Sequence, residues 1–174
     1  SEDPSVKSIV PYSKPVLRNN LMTGFTQKNT RVFFTDEKSG ILYTKRYLNE
    51  KGIDGQGEIV TVVDSPLDYH HSMFYDPNCT FQLNTPLKHR KIVYYNYYGS
   101  IESLAKDIYE NEHGTHVAGT IAGESVCSNK DGGFDLFDGN APKAKLIFFP
   151  FLLFSLEEEV YVMNDFKSRI SSNS

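Results

Sequence analysis

The chain of 174 residues suits one domain, and its 39% hydrophobic and 23% charged residues are ordinary for a folded globular protein. Its 18 basic and 22 acidic side chains give a net charge of −4, which predicts no nucleic-acid partner, because such proteins usually carry a basic patch. No stretch approaches the roughly 20 apolar residues that cross a bilayer, so no transmembrane segment is expected, and the start at Ser1 has no signal-peptide pattern.

Residues 1–52 are predicted to be a lead-in to the folded domain. Pro4, Pro11 and Pro15 lie among polar residues, a pattern that favours an extended segment over a packed one. Residues 31–49 contain short apolar groups on either side of a polar stretch. That pattern fits a hairpin or a surface helix, and the sequence does not decide between them.

Three stretches in the middle of the chain predict strands. Residues 58–63 form a mostly β-branched apolar run, typical of a strand buried on both faces of a parallel sheet, and the run stops at Asp64. Residues 91–98 are rich in tyrosine and predict a second, half-exposed strand, and residues 145–149 predict a third. Small residues within 115–122 predict a helix packed close to the sheet. Strand, helix and strand in this order predict an α/β fold with a parallel sheet.

Asp64 and His113 are the candidate catalytic residues. Asp64 follows the buried strand, at the sheet edge where active sites gather in open α/β folds. His113 opens the predicted helix, where the helix dipole disfavours the imidazolium form, and a neutral ring is what a general base requires. An ionised aspartate opposite the ring would hold its other nitrogen as a donor. Taken alone, each residue also fits a plainer role, a turn or helix cap for the aspartate and a hydrogen-bonded structural histidine.

The sequence around both residues resembles the subtilases. His-Gly-Thr-His-Val-Ala-Gly-Thr-Ile-Ala-Gly at residues 113–123 is similar to the active-site histidine segment of that family. Residues 55–65, which end in Val-Val-Asp-Ser, are similar to the strand that carries the catalytic aspartate, and residues 138–146 resemble the turn into the next core strand. The two segments also follow each other in the family's order. The resemblance extends over about residues 52–149.

The resemblance implies a partial doubly wound parallel sheet of the subtilisin type. It also implies hydrolysis of peptide bonds in polypeptide substrates by an Asp-His-Ser triad, with Asp64 as the acid, His113 as the general base and His116 as a structural second histidine. The chemistry of the family requires no cofactor. Many members bind structural calcium, and no set of oxygen ligands for calcium stands out in this sequence.

The resemblance also divides the chain into three parts. Residues 1–52 would be the junction to an upstream propeptide-like region, residues 53–150 a partial catalytic domain, and residues 151–174 a divergent tail. In that tail residues 157–159 fit a solvated helix start, and residues 171–174 fit a frayed end. Secretion, the secretory pathway or the cell surface is the location expected from the family.

Two departures from the family pattern bear on activity. No segment like Gly-Thr-Ser-Met-Ala occurs, so the chain is expected to be the amino-terminal part of a catalytic domain, truncated before the serine and inactive alone. Pro66 stands where the family normally has glycine, and it either displaces Asp64 or is absorbed by the turn. The alternative hypothesis is a catalytically inactive subtilase-like fragment or protein that binds peptides.

Three further interpretations depend on histidine, cysteine and asparagine. A metal site is a third hypothesis, which no His-Glu-x-x-His pattern supports; it would use the histidines His70, His71, His89, His113 and His116. Cys79 and Cys127 either form one disulfide or remain buried thiols. Asn78 begins an Asn-Cys-Thr glycosylation sequon, which weakly favours secretion.

Overall fold

The computed structural model describes residues 19–29, 32–37, 40–125, 136–151 and 155–173. The prolines at positions 4, 11 and 15 therefore lie outside the described residues. Helix α1 (Asn19–Lys28) is followed by strands β1 (Phe34–Thr35) and β2 (Leu42–Tyr43). These two strands pair antiparallel, so of the two structures predicted for this part of the chain the described residues form the hairpin. A 3₁₀ turn, Asn49–Lys51, leads into the main sheet.

The described part of the lead-in is packed rather than extended. The Gly24 amide in α1 donates to Thr44 Oγ1 at 2.8 Å, and the Thr44 hydroxyl donates to the carbonyl of Leu21. The buried guanidinium of Arg46 donates to the backbone carbonyls of Asp138 and Gly139. Residues from 19 onward are thus joined to the main body by hydrogen bonds.

The main sheet has four strands, all parallel, in the order β4-β5-β3-β6. They are β3 (Ile59–Asp64), β4 (Ile92–Tyr95), β5 (Lys145–Pro150) and β6 (Ile170–Asn173). Strand β3 is interior, and its residues from Val60 to Asp64 are all buried, as its mostly apolar, β-branched run predicts.

Helices cover both faces of this sheet, which confirms the α/β class and the doubly wound arrangement. Helices α2 (Ile101–Glu110) and α3 (His113–Ala122) contribute Leu104 and Ala118 to a core with Val62 of β3. Helix α4 (Leu156–Phe166) contributes Val162 to a second core, which contains Val63 and Phe149. Because successive side chains of a strand point to opposite faces, neighbouring residues of β3 serve different cores.

The prediction that the second strand is half-exposed was wrong. The strand ends at Tyr95 rather than at residue 98, and all four of its residues are buried. Tyr95 packs against Phe148 and edge-on against Phe81, while Tyr94 packs against Phe166 of α4. Tyrosine suits either setting, since the ring can be buried wherever its hydroxyl finds a partner.

The prediction of a frayed end was also wrong for residues 171–173, and Ser174 lies outside the described residues. Residues Ile170–Asn173 form β6, which pairs with β3 in the register Val60↔Ile170. Helix α4, which precedes it, begins where the Ser155 hydroxyl accepts from the Glu158 amide. Glu159 was expected to be solvated, but it is only 2% exposed, and Ser171 donates a hydrogen bond to its carboxylate. None of the helices in the described residues is long and apolar enough to span a membrane.

Candidate active site

Asp64 is the last residue of β3, and its side chain is 1% exposed. Its Oδ1 atom accepts a hydrogen bond from the Ser65 amide at 2.7 Å. A buried carboxylate is costly unless hydrogen bonds or charges compensate for the lost hydration. The location of this carboxylate therefore requires partners across the sheet edge.

His113 supplies such a partner from the first residue of α3. Its Nδ1 lies 2.7 Å from Asp64 Oδ1, and because a carboxylate oxygen can only accept, Nδ1–H is the donor. The Asn111 side chain accepts from the His113 amide at 3.2 Å and so caps the helix start. The His113 side chain is 61% exposed, and Nε2 has no hydrogen-bond partner among the described residues.

Gly114 allows α3 to approach the end of β3. A Cβ atom at this position would lie 1.8 Å from the carbonyl oxygen of Ser65. The Gly114 amide donates to Ser65 Oγ at 2.7 Å, so the first turn of the helix rests directly on the residue that follows Asp64. Ala118 and Ala122 continue the small buried face of the helix. The close contact that the small residues predict is observed.

Pro66 is absorbed by the turn after β3. The residue is buried, and Asp64 still reaches His113 at hydrogen-bonding distance. The next residue, Leu67, is held on both sides by the Tyr95 hydroxyl, which accepts from its amide at 2.9 Å and donates to its carbonyl at 3.2 Å. Burial raises the pKa of the Tyr95 phenol well above 10, so the hydroxyl stays neutral and can act as donor and acceptor together.

Comparison with known proteins identifies the family of the chain. The model of the subtilase family matches residues 55–172 of the chain. The chain belongs to this family. The match continues past Phe149, where the resemblance of individual motifs ended, and it reaches into β6.

Curated relatives of this subtilase come from Dictyostelium discoideum. The present chain is 38% identical over 96 residues to the "Serine protease/ABC transporter B family protein tagD" and 37% identical over 100 residues to the corresponding tagA protein. These alignments cover 55% and 56% of this chain and 5% of each relative. The chain therefore spans a small part of the length of the relatives it matches. No solved structure shows a significant match.

A cleft of about 750 Å³ lies next to helices α2 and α3 of the subtilase. Its walls come from the loop after β3, from α2, from the outer face of α3 and from the segment before β5. His116 lines this cleft, and neither Asp64 nor His113 does. The second histidine of the family motif thus faces this cleft from the amino-terminal end of α3.

The structure does not bring the histidines of the subtilase together as a metal site. Within the described ranges, no three His, Cys, Asp or Glu side chains are grouped closely enough to hold a metal ion. His89 is 2% exposed, and its Nδ1 accepts hydrogen bonds from the amides of Lys91 and Ile92. Cys79 is a free, half-buried thiol, so the structure shows no disulfide at this residue, and Cys127 lies outside the described residues. Asn78 is exposed.

Sequence reasoning missed Ser65 and Tyr95, the two residues that support the subtilase pair most directly. Ser65 carried a signal, since it follows Asp64 within the family-like segment, but a serine beside an aspartate usually indicates only a turn. Tyr95 carried none, because nothing in a tyrosine-rich strand shows which hydroxyl will reach a loop. Both contacts become visible only when β3, β4 and α3 are brought together.

Proposed function

We propose that this subtilase chain contributes the acid and base of a serine-type endopeptidase, with polypeptides as substrates. The observation that carries the proposal is the 2.7 Å hydrogen bond between a buried Asp64 carboxylate and the Nδ1 of an exposed His113. Of the two ring nitrogens of His113, Nδ1 donates to the aspartate. Nε2 makes no such contact with Asp64, and the ring that carries it is largely exposed. That is the arrangement a general base needs in a Ser-His-Asp triad.

In the proposed reaction, Nε2 of His113 takes the proton of a serine hydroxyl as the oxygen attacks the peptide carbonyl. Asp64 stabilises the imidazolium that forms and keeps Nδ1 protonated, which leaves Nε2 as the basic nitrogen. The same imidazolium then gives its proton to the leaving amine. The 174 residues contain no Gly-Thr-Ser-Met-Ala-like segment, so the nucleophilic serine is assigned to polypeptide outside this sequence.

The second candidate is a non-catalytic subtilase-like protein that binds peptides. The two candidates differ in a direct measurement. The protein that contains this chain is isolated from its source and treated with a fluorophosphonate, which labels an activated serine. Labelling together with hydrolysis of a casein substrate supports the peptidase, and peptide binding without labelling supports the alternative.

Variants then test the assigned roles in an active protein. His113→Ala is expected to lower kcat by about 10⁶-fold because it removes the base, and Asp64→Asn by about 10⁴-fold because it leaves the base wrongly oriented. His70→Ala serves as the matched control, since His70 is exposed and its ring packs on Tyr69 rather than on Asp64. Equal activity of His113→Ala and His70→Ala would exclude His113 as the base.

We also propose that the protein passes through the secretory pathway, a location expected from the family. The exposed Asn78 in its loop is open to glycosylation, and it is the local feature that supports this location. Treatment of the native protein with peptide N-glycosidase should reduce its apparent mass if Asn78 carries a glycan, and Asn78→Gln should abolish that change. No mass difference in either comparison would remove the support of the sequon.

A further inference from the structure

The Ser65 side chain connects the end of β3 to the start of α3. Ser65 is 1% exposed. Its amide donates to Asp64 Oδ1, and its Oγ accepts from the Gly114 amide at 2.7 Å. Its hydroxyl also lies 3.4 Å from the carbonyl oxygen of Asn111, to which it donates. One small residue therefore contacts the aspartate, the helix start and the segment before the helix.

The Gly114 amide needs an acceptor from outside its own helix. It is one of the first four amides of α3, which have no carbonyl partner within the helix. The Asn111 side chain takes the neighbouring amide of His113, at 3.2 Å. Gly114 is buried, so without Ser65 Oγ its amide would have neither water nor a protein atom as a hydrogen-bond acceptor.

We propose that Ser65 is a positioning residue, whose hydroxyl fixes His113 against Asp64 by capping α3 from the neighbouring strand. This inference rests on the proposed function, because it assigns Ser65 a role in the same acid–base pair. Ser65 does not touch the reacting atoms; it acts through the position of the first helical turn. A second bond, from the Asp68 amide to Thr115 Oγ1 at 2.8 Å, holds the same turn on its other side.

The direction of the expected change follows from these contacts. With Ser65→Ala the Gly114 amide is left without its acceptor, and the helix start shifts or rotates to find another. Because Nδ1 and Oδ1 are 2.7 Å apart, a small shift is enough to lengthen their hydrogen bond. Displacements of about 1 Å at a catalytic group cost on the order of 100-fold in rate. Substrate contacts are unaffected, so KM should change little.

The test compares Ser65→Ala with Ser168→Ala in the protein that contains this chain. Ser168 is a matched control, since it is a buried serine whose Oγ also joins two segments, through Thr61 Oγ1 and the Ile59 carbonyl, both at 3.0 Å. We expect Ser65→Ala to lower kcat by about 10- to 100-fold at nearly unchanged KM. Ser168→Ala should keep kcat while losing a similar amount of thermal stability.

A spectroscopic measurement separates this inference from the proposed function. The His113 Nδ1–H proton should give a low-field NMR resonance, which shifts or broadens in Ser65→Ala and stays in place in Ser168→Ala. If the unaltered protein hydrolyses no peptide, the proposed function fails, and the resonance still decides the role of Ser65. An unchanged resonance in Ser65→Ala, or a kcat equal to that of Ser168→Ala, would overturn the inference.

If Ser65→Ala does not fold, hydrogen exchange of the unaltered protein gives the answer. The Gly114 amide should then exchange slowly, as a buried donor to Ser65 Oγ does, and exchange at the rate of an exposed helix-end amide would contradict the proposal.

Discussion

Substituting alanine for Gly114 perturbs the contact that brings α3 onto β3. The new methyl group would lie 1.8 Å from the Ser65 carbonyl oxygen, a backbone atom that cannot rotate away as a flexible side chain does. The helix start must therefore move, and the 2.7 Å bond from the Gly114 amide to Ser65 Oγ is lost in the process.

Three contributions set the expected change in the free energy of unfolding. Overpacking against fixed neighbours costs about 3 kcal/mol at the upper end of its usual range. Loss of the buried hydrogen bond costs about 1 kcal/mol. Alanine regains about 1 kcal/mol over glycine in helix propensity. The net expectation is a loss of about 3 kcal/mol.

Gly119→Ala in the same helix is the control, because a Cβ there meets nothing within 4 Å. This variant should gain about 1 kcal/mol from helix propensity. The chain has no tryptophan, so urea unfolding is best followed by far-UV circular dichroism. Equal stability of Gly114→Ala and Gly119→Ala would refute the close-contact argument.

Two further predictions concern buried polar groups. Tyr95→Phe should lower stability by about 2 kcal/mol in urea unfolding, since it leaves both backbone groups of Leu67 without their hydroxyl partner. Burial lowers the pKa of His89 to about 4, so its unfolded form takes up a proton near pH 6.5 while the folded form stays neutral. The free energy of unfolding should therefore fall by up to about 3 kcal/mol as the pH drops from about 6.5 to about 4.

Each of these predictions has a discriminating variant. His89→Asn offers the backbone amides of Lys91 and Ile92 an acceptor oxygen that does not titrate, so most of the loss between pH 6.5 and 4 should disappear. An unchanged pH dependence would assign it to other groups. For Tyr95, the exposed Tyr109→Phe should leave stability unchanged; a loss equal to that of Tyr95→Phe would contradict the role of the buried hydroxyl.

The sequence predicts well those helices and strands whose own residues determine whether they are buried or exposed. β3 and β5 are mostly apolar runs without polar alternation, and such runs are stable only when both faces of the strand are covered. The small residues of α3 predict its close packing in the same way. The candidate pair of Asp64 and His113 was found because its flanking segments resemble a family, and the structure brings the two side chains into contact.

Other elements depend on partners that are distant in the chain. β6 reads Ile-Ser-Ser-Asn and has little strand character, and its pairing with β3 becomes favourable only after α4 has returned the chain to the sheet. The burial of β4 depends likewise on Phe166 of α4 and on Phe81. Local propensity cannot reveal such elements, because tertiary contacts decide them.

The strand order has a consequence for the synthesis of the protein. β3 is interior in the sheet, yet both of its neighbours, β5 and β6, are made after it. An apolar strand that leaves the ribosome early stays unpaired until its partner strands have been synthesised, and pairing across long chain separations is slow. During that interval its unpaired edges are open to pairing with other chains. We therefore expect the yield of folded protein to depend on chaperones more strongly than its final stability would suggest.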